Sequence, residues 1–582
     1  MGNLVRVVTI AFMACTGLAL PAGANTRERP NVLLIITDDQ GHGDLSIHGN
    51  PVLQTPHLDR IALEGARLTN FYVSPVCSPT RSSLLTGRYN YRTGVVDTFI
   101  GRSMMHGDEV TLAEMLGPAG YRTGIFGKWH LGDNYPMRPI DQGFQEALVL
   151  KGGGIGQPSD PPGGESYFDS ILQHNGHPEK QSGYITDVIT DAAARFIHDN
   201  RDRPFFAYVA YNCPHAPLEV KEEGFRAFKD QDLAHERFPQ IGHKLPGRPL
   251  SEITAKVYAM VADIDRNVGR LLSKLDEDGL TRDTIVVFLT DNGPQQVRYN
   301  SGMLDRKGNV HEGGIRVPGF IRWPDRIPAG RQIDRIAAHI DLTPTLLDAC
   351  GVARPTHVRF DGVSLLRLLT SEVNDWPNRT IYLQWHRGDV PELGRAFAAR
   401  SQDFKLVRPD GKKDIELYDM KADPLEFHDI ASEQPDRARG MYDAYARWFE
   451  DVRRERNFEP PRIVLGDEHE PRSVLSRQDW RGPRAGWSQD SLGHWEVRIA
   501  RPGRYKITLQ FAPSEKPTKV HLLLAGGEVQ KAIDAGASSC VIEGVDWSAG
   551  PACLEAWVDQ EAEGKTVGVK FVEVEWLAPD PH

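Results

Sequence analysis

Short apolar runs alternate with amphipathic stretches along the first 350 residues of the chain. Residues 32–36, 205–211 and 284–289 are apolar apart from Thr284, which is typical of parallel strands that are buried on both faces of a sheet. Residues 254–275 repeat apolar side chains three and four positions apart, and residues 342–350 stop at a glycine, so both segments are predicted helices. Strands that alternate with helices predict an α/β fold with a large, mostly parallel central sheet flanked by helices.

The pattern changes after residue 370. Short strands are predicted at 381–385, 404–407 and 415–418, and a helix at 437–453 follows them. Together they predict a smaller α+β subdomain on the main sheet. A Pro-Pro pair at 460–461 and the arginine-rich stretch behind it are typical of a linker.

The C-terminal part alternates apolar and polar positions, as at 505–511, which predicts half-buried strands and an all-β, sandwich-like unit. We hypothesise that this unit is carbohydrate-binding-like. Its tryptophans could stack on sugar rings, although aromatic side chains more often fill small β-sandwiches; they are Trp480, Trp487, Trp495, Trp547, Trp557 and Trp576. The predicted division is a signal peptide (1–24), an α/β unit (25–370), the α+β subdomain (371–459), a linker (460–484) and the β-rich accessory unit (485–582).

Composition and charge narrow the class of protein. With 582 residues the chain is too long for one ordinary hydrophobic core. A net charge of −11 argues against a nucleic-acid-binding protein, which would normally present a basic face. Arg6, the apolar run 7–20 and the small residues Ala22 and Ala24 predict a cleaved signal peptide. No later segment predicts a transmembrane helix, so we expect an exported protein, periplasmic or secreted.

Six cysteines are too few to make a disulfide scaffold in a chain of this size. One of them lies inside the predicted signal peptide, and the odd number that is left suggests that one cysteine has another use. Cys540 and Cys553 are close enough in sequence to pair, although spacing alone does not establish the geometry.

A fourth strand is predicted at residues 123–126, and polar residues follow all four strands of the predicted central sheet: Asp38 and Asp39, Lys128 and His130, His215, and Asp291 and Asn292. Ligands of open parallel sheets bind outside the carboxyl ends of the strands, so these side chains would meet in one crevice if the strands are neighbours. Each alone would more often be a helix cap, a turn residue or a hydrogen-bonded histidine. Several aspartates together repel one another unless a cation lies among them, and hard oxygen ligands favour calcium or magnesium over zinc.

A helix is predicted to begin at or near Cys77. Pro79 fits the first turn of a helix, which places Cys77 at a helix N-terminus, where free backbone N–H groups favour an anion. An isolated cysteine is otherwise more often a small, buried apolar residue.

The residues from Cys77 to Arg81 read Cys-Ser-Pro-Thr-Arg and continue into Leu-Thr-Gly-Arg at 85–88. This segment resembles the signature of the formylglycine-dependent sulfatases, which belong to the alkaline phosphatase superfamily. Further blocks similar to that family occur in the same order between about residues 30 and 455, at 37–41, 127–132, 214–217, 290–293, 307–308, 312–318 and 417–424. Arg306 departs from the family pattern, where small residues are common, and could alter the pocket wall.

The resemblance implies that a formylglycine-generating enzyme oxidises Cys77, and that the hydrated aldehyde attacks the sulfur atom of a sulfate ester beside a metal ion. The implied metal ligands are Asp38, Asp39, Cys77, Asp291 and Asn292, with calcium expected before magnesium. The implied catalytic residues are Cys77, Arg81, Lys128, His130, His215 and Lys307. Of these, Arg81 and Lys128 would steady the hydrated aldehyde and the anionic oxygens, and His130 would be the base. His215 and Lys307, together with Lys128, would bind the sulfate.

The expected substrate is a sulfated glycan or a sulfated small molecule such as an aryl sulfate. Two alternatives stay open from the sequence. One is a phosphate or phosphonate monoester hydrolase of the same superfamily, because sulfate and phosphate esters share their size and tetrahedral shape. The other is a catalytically silent glycan-binding protein in which Cys77 stays unmodified.

Overall fold

The structure is a computed structural model that describes residues 29–373, 375–560 and 565–577. The predicted signal peptide (1–24) lies outside the described residues. Ten of the described strands form one central sheet; in spatial order they are Arg331–Ile333, Ala66–Leu68, Gly319–Arg322, Thr284–Thr290, Asn31–Thr37, Phe205–Ala210, Arg122–Lys128, Glu146–Leu150, Ile171–His174 and His177–Lys180. The five strands from Thr284–Thr290 to Glu146–Leu150 are parallel, and the next strand on each side, Gly319–Arg322 or Ile171–His174, is antiparallel to them. The predicted α/β class is confirmed.

Hydrophobic clusters cover both faces of the central sheet because its middle strands are apolar on both faces. Val32, Leu34 and Ile36 pack into one hydrophobic cluster, whereas Leu33 and Ile35, which point the other way, pack into a second cluster. This alternation explains why a parallel strand reads as an unbroken apolar run in the sequence.

The predicted helices at 254–275 and 342–350 correspond to Ser251–Glu277 and Leu342–Ala349. The other described α-helices are Pro56–Leu63, Cys77–Thr86, Asn90–Thr93, Leu112–Leu116, Ile185–Asp199, Glu222–Phe228, Glu312–Ile315, Leu366–Thr370 and Pro435–Arg456. Short 3-10 turns occur at Ser46–His48, Gly117–Ala119, Pro139–Asp141, His235–Arg237, Thr281–Asp283 and His339–Asp341. Within the described ranges, no helix has the length and apolar character needed to cross a membrane.

A separate antiparallel sheet supports the predicted α+β subdomain; its strands are Ile381–Gln384, Phe397–Arg400, Phe404–Arg408 and Glu416–Asp419. The helix Pro435–Arg456 packs on it, and Tyr445 of that helix stacks on Phe397 with ring centroids 3.8 Å apart. A small parallel pair, Phe71–Tyr72 with Ala337–Ala338, lies apart from the main sheets.

The C-terminal part consists of two β-sheets that enclose one apolar core. The first contains Ile463–Leu465, His494–Ile499, Gly550–Gln560, Thr518–Leu524, Gly527–Ile533 and Lys565–Gly568; the second contains Arg472–Ser476, Phe571–Leu577, Gly503–Gln510 and Ser539–Trp547. Trp480, Trp495 and Trp547 are buried in this core, and the partly buried Trp576 packs against it, so four of the six tryptophans contribute to the interior. Ile100 and Met104 of the α/β unit pack into the same core, so the two units share one hydrophobic cluster.

One expectation about the C-terminal part needs correction, and the open question of the cysteine pair is answered. The segment 460–484, predicted as a linker, instead contributes the strands Ile463–Leu465 and Arg472–Ser476, because Ile463, Leu465 and Leu475 are buried in the common core while Arg472 is exposed. Cys540 and Cys553 do not pair, since they lie on strands of different sheets and both thiols are free.

Candidate active site

The four strands that precede the polar residues are neighbours in the central sheet. Thr37 is in register with Thr290, and Ala210 is in register with both Ile36 and Gly127. The four segments that follow these strands therefore leave the sheet at the same edge, as predicted.

Buried oxygen atoms converge at this edge of the sheet. The side chains of Asp38, Asp39, Asp291 and Asn292 are all fully buried. One oxygen atom of each of Asp38, Asp39 and Asn292 has no hydrogen-bond partner among the described residues, and burial without a partner is costly. Burial raises the pKa of Asp291 to about 6, and the charge of Asp38 adds to this shift. Unsatisfied hard oxygens that repel one another fit a divalent cation of the calcium or magnesium type.

Each carboxylate of this group also binds one cationic side chain. Lys128 Nζ lies 2.5 Å from Asp38 Oδ2, Lys307 Nζ lies 2.5 Å from Asp39 Oδ1, and Arg81 Nη2 lies 2.8 Å from Asp291 Oδ2. Burial alone would lower the pKa of Lys307, but the charge of Asp39 raises it above the ordinary value, so this lysine stays protonated. The three carboxylates and three cations balance one another, so a bound metal ion would make the centre positive and suited to an anion.

Cys77 lies at the start of the helix Cys77–Thr86, all of whose residues are buried. Its Sγ atom and carboxylate oxygens of Asp38 and Asp291 lie within 4.8 Å of one another. Burial raises the pKa of the Cys77 thiol, even though Lys128 and Lys307 lie nearby. A thiol that is held neutral is a poor nucleophile, so the unmodified side chain is not prepared for attack.

One hydrogen bond determines the tautomer of His130. Its Nε2 atom lies 2.6 Å from the carbonyl oxygen of Thr98, and a carbonyl only accepts, so Nε2 carries the proton. The lone pair is then on Nδ1, which has no partner among the described residues. Burial lowers the pKa of His130 well below its usual value, and the charge of Lys128 lowers it further. The ring is therefore neutral, with a free basic nitrogen.

His215 has the opposite tautomer. Its Nδ1 atom lies 2.6 Å from the carbonyl oxygen of Ala216, so Nδ1 carries the proton and the lone pair is on Nε2. That nitrogen lies 3.8 Å from Asp39 Oδ2. Burial lowers the pKa of His215 to about 4, against the opposing effect of Asp39. The side chains of His215 and Lys307 are each 14% exposed, whereas Lys128 and Arg81 are fully buried, so the first two face the opening of the site.

The run of glycines at 152–154 packs directly against both histidines, which the sequence did not indicate. A Cβ atom on Gly153 would lie 2.6 Å from His130 Cε1, and one on Gly154 would lie 2.7 Å from His215 Nδ1. Only residues without a side chain allow this approach. The run itself was visible in the sequence, but nothing in a single sequence marks Thr98 as the partner of His130.

A buried ion pair behind the site holds Asp39. Arg298 Nη2 lies 2.6 Å from Asp44 Oδ2 and 2.8 Å from the carbonyl oxygen of Asp39. Asp44 also accepts the N–H of Gly41 at 2.7 Å. Asp39 has a φ of 64°, a left-handed conformation that is uncommon outside glycine, and these bonds stabilise it.

Comparison with known families gives two matches along the chain. The model of the sulfatase family matches residues 30–352, and the model of the C-terminal part of N-sulphoglucosamine sulphohydrolase matches residues 300–441. The N-acetylglucosamine-6-O-sulfatase of Bacteroides thetaiotaomicron is 29% identical over 73% of this chain and 86% of that protein. The N-acetylgalactosamine-6-sulfatase of Canis lupus familiaris is 33% identical over 67% of this chain and 73% of that protein. Arylsulfatase A of Homo sapiens is 33% identical over 67% of this chain and 76% of that protein.

Solved structures show the same likeness. The crystal structure of Ps i-CgsB in complex with k-i-k-neocarrahexaose superposes with a TM-score of 0.63 at 27% identity and covers 75% of this chain and 94% of that one. The phosphonate monoester hydrolase of Agrobacterium radiobacter superposes with a TM-score of 0.53 at 23% identity, over 73% of this chain and 96% of that one. The second likeness is one of fold.

Proposed function

Because this chain belongs to the sulfatase family, as the match over residues 30–352 shows, we propose that it releases sulfate from a sulfated carbohydrate with a formylglycine made from Cys77. Among its relatives are proteins named for 6-sulfated N-acetylglucosamine and N-acetylgalactosamine, which supports a carbohydrate substrate. The observation that carries the proposal is the position of Cys77, at a helix N-terminus and beside two buried carboxylates. When formed, the hydrated formylglycine supplies one hydroxyl for attack and a second through which sulfate can leave.

The proposed metal ligands are Asp38, Asp39, Asp291, Asn292 and the group at position 77. The buried oxygens without partners support this set, and a cage of several protein oxygens suits calcium better than magnesium, which keeps more of its water. The bound cation would supply positive charge beside the attacking oxygen. We expect calcium to raise the thermal unfolding temperature of the wild type and to have little effect on Asp291→Ala. Equal unfolding temperatures with calcium and with a chelator would contradict the metal site.

The cationic residues divide into two proposed roles. Arg81 and Lys128 are fully buried on Asp291 and Asp38, so they position the carboxylates and the group at position 77. Lys307 lies at the opening, so it is the lysine that can reach a sulfate oxygen of an incoming substrate. Lys128 would contribute its charge to the sulfate from behind.

The two histidines supply the proposed proton transfers. The free Nδ1 atom of His130 would accept the proton when the sulfate is released from position 77. His215 is neutral before substrate binds, and the negative charge of a sulfate beside it raises its pKa, so Nε2 can pass a proton to the leaving oxygen. A well-placed acid or base contributes about 10²–10⁴-fold. We therefore expect His215→Ala to lower kcat by this factor, and a near wild-type rate on the same substrate would contradict the role.

The decisive experiment combines maturation with a substrate panel. The chain is produced with a formylglycine-generating enzyme, and the mass of the peptide that contains Cys77 is measured. Rates are then compared on sulfated mono- and oligosaccharides, on 4-nitrophenyl sulfate and on 4-nitrophenyl phosphate, with Cys77→Ala as the inactive control. We expect an aldehyde at position 77 and sulfate release. A free thiol in fully active protein would overturn the nucleophile, and a faster rate on phosphate would overturn the substrate class.

We also propose that the chain is exported and that residues 1–24 are removed. The basic and apolar pattern of that segment and its small residues at 22 and 24 support this. Sequencing the N-terminus of the protein from the periplasm or the medium should give Asn25.

The boundary between the α+β subdomain and the C-terminal sheets is proposed near residue 460, and limited proteolysis would test it.

A further inference from the structure

Four side chains from three parts of the chain lie together beside the candidate active site. They are called here the aromatic–arginine cluster and are Phe99, Trp385, Arg387 and Trp487. Phe99 belongs to a loop of the α/β unit, Trp385 and Arg387 follow the first strand of the α+β subdomain, and Trp487 belongs to the C-terminal β-rich part.

Each side chain of the cluster contacts at least one other, so that all four are connected. The guanidinium carbon of Arg387 lies 4.3 Å from the ring centroid of Phe99 and 5.2 Å from that of Trp385. Phe99 and Trp487 meet edge to face, with centroids 5.5 Å apart and an interplanar angle of 83°. Cation–π and edge-to-face contacts of this kind favour one arrangement of the side chains.

The cluster borders two of the residues to which we assign catalysis. Phe99 follows Thr98, whose carbonyl oxygen holds the Nε2 atom of His130. On the other side, a Cβ atom on Gly308 would lie 3.2 Å from Cζ3 of Trp385, and Gly308 follows Lys307 in the chain. A sugar whose sulfate reaches Lys307 therefore has its neighbouring ring within reach of the cluster.

A buried carboxylate anchors the cluster from below. Asp97 is fully buried and accepts hydrogen bonds from Trp385 Nε1 at 2.9 Å and from Arg387 Nη1 at 3.0 Å. Because Asp97 binds one end of the guanidinium, the rest of Arg387 is held in place rather than free to move. A site that is ordered before binding loses less entropy when its ligand arrives.

The C-terminal part holds the loop that carries Phe99. Gln478 Nε2 lies 3.5 Å from the carbonyl oxygen of Thr98, and Arg481 Nη1 lies 2.8 Å from that of Gly101. The C-terminal sheets thus support the loop at two points and add Trp487 to its outer side. Their contribution lies next to the catalytic residues and not at a remote surface.

The cluster is anchored in the interior but open to solvent. The side chain of Arg387 is 51% exposed and Trp487 is 40% exposed, while Phe99 and Trp385 are half-buried. A guanidinium group that is ordered and exposed to solvent binds carboxylates and sulfates well. Aromatic rings around it offer apolar faces of the size of a sugar ring. Together these groups suit a sugar that carries a negative charge.

We infer that the aromatic–arginine cluster is a subsite for a second, negatively charged sugar ring, next to the ring whose sulfate is cleaved. The inference rests on the proposed function and makes it more specific. The substrate is an anionic oligosaccharide or polysaccharide, and the C-terminal β-rich part contributes directly to its recognition. The competing interpretation is that the cluster only joins the three parts of the chain.

The test compares kcat/KM on two substrates of the matured enzyme. One is the sulfated oligosaccharide that the panel identifies as best, and the other is 4-nitrophenyl sulfate, which has no second sugar. We expect Arg387→Met and Trp487→Ala each to lower kcat/KM on the oligosaccharide by about tenfold, and to lower it on the aryl sulfate by less than about twofold. The matched control is Arg437→Met, since Arg437 lies over the ring of Phe404 at 3.8 Å, and it should leave kcat/KM on both substrates unchanged.

Each other outcome overturns the subsite. Equal losses on both substrates, with a lower unfolding temperature, would show that the cluster only joins the three parts. No loss on the oligosaccharide, or a wild-type enzyme that prefers a monosaccharide sulfate to every oligosaccharide tested, would exclude a second ring at this place. Failure of the proposed function is distinct, because the wild type would then release no sulfate from any substrate.

Discussion

The glycine at position 153 offers a sharp test of how the histidines are held. The backbone conformation of Gly153 is one that other residues can adopt, so Gly153→Ala should fold. The added methyl group would lie 2.6 Å from His130 Cε1. Since contacts closer than 3.4 Å are strained, the ring must retreat by about 0.8 Å. Its Nε2 atom is fixed to Thr98 at 2.6 Å, so the retreat distorts that hydrogen bond and displaces Nδ1.

A displacement of about 1 Å in a catalytic group costs on the order of a hundredfold in rate. We therefore expect Gly153→Ala to lower kcat on 4-nitrophenyl sulfate by about 10²-fold, with KM changed far less. Gly154→Ala, which would press on His215 Nδ1 at 2.7 Å, should have a loss of similar size. The measurement is steady-state kinetics on protein whose aldehyde content at position 77 has been determined by mass, so that poor maturation is not mistaken for poor catalysis.

The matched control is Gly440→Ala. Gly440 lies inside the helix Pro435–Arg456, and nothing lies within 4 Å of a Cβ atom built there. This variant should keep the wild-type kcat and gain about 0.5–1 kcal/mol of stability. If Gly153→Ala keeps kcat within about twofold of the wild type at full aldehyde content, the close packing of the loop does not position His130.

Two further predictions concern stability. Burial raises the pKa of Asp265 to about 7, although the backbone N–H groups of His57 and Leu58 donate hydrogen bonds to its carboxylate. The folded chain therefore keeps a proton that the unfolded chain releases near pH 4. As a result, the free energy of unfolding falls as the pH rises from about 4 to about 7. Asp265→Asn should flatten the profile of unfolding temperature over this range, and two parallel profiles would contradict the assignment. Arg298→Met leaves the buried Asp44 carboxylate without its cation and should cost about 3–5 kcal/mol in urea unfolding; adding Asp44→Asn should restore part of this loss, and no recovery would show that the ion pair is not the cause.

The sequence predicted the class of the fold because strands buried on both faces are marked by unbroken apolar runs. It also predicted which residues meet, because the carboxyl ends of parallel strands share one edge. Local patterns do not indicate contacts between distant segments. The carbonyl of Thr98 holds His130, and Trp385 lies beside Gly308, without any periodic or compositional signal.

The C-terminal part was predicted less well for a related reason. The strands Ile463–Leu465 and Arg472–Ser476 are short and lie among charged residues, so they resemble a linker until their buried side chains are seen in the shared core. The suggested pairing of Cys540 with Cys553 relied on spacing alone, and spacing does not show that two strands belong to different sheets.

The burial of Cys77 has a consequence for the order of events in the life of the protein. The Cys77 side chain is only 2% exposed, and every residue of the helix that begins at Cys77 is buried. A modifying enzyme therefore cannot bind this segment once the chain has folded. If Cys77 is modified as we propose, the modification must therefore precede folding. A chain that folded first would keep its thiol buried, and the proportion of active protein would depend on the relative rates of folding and modification.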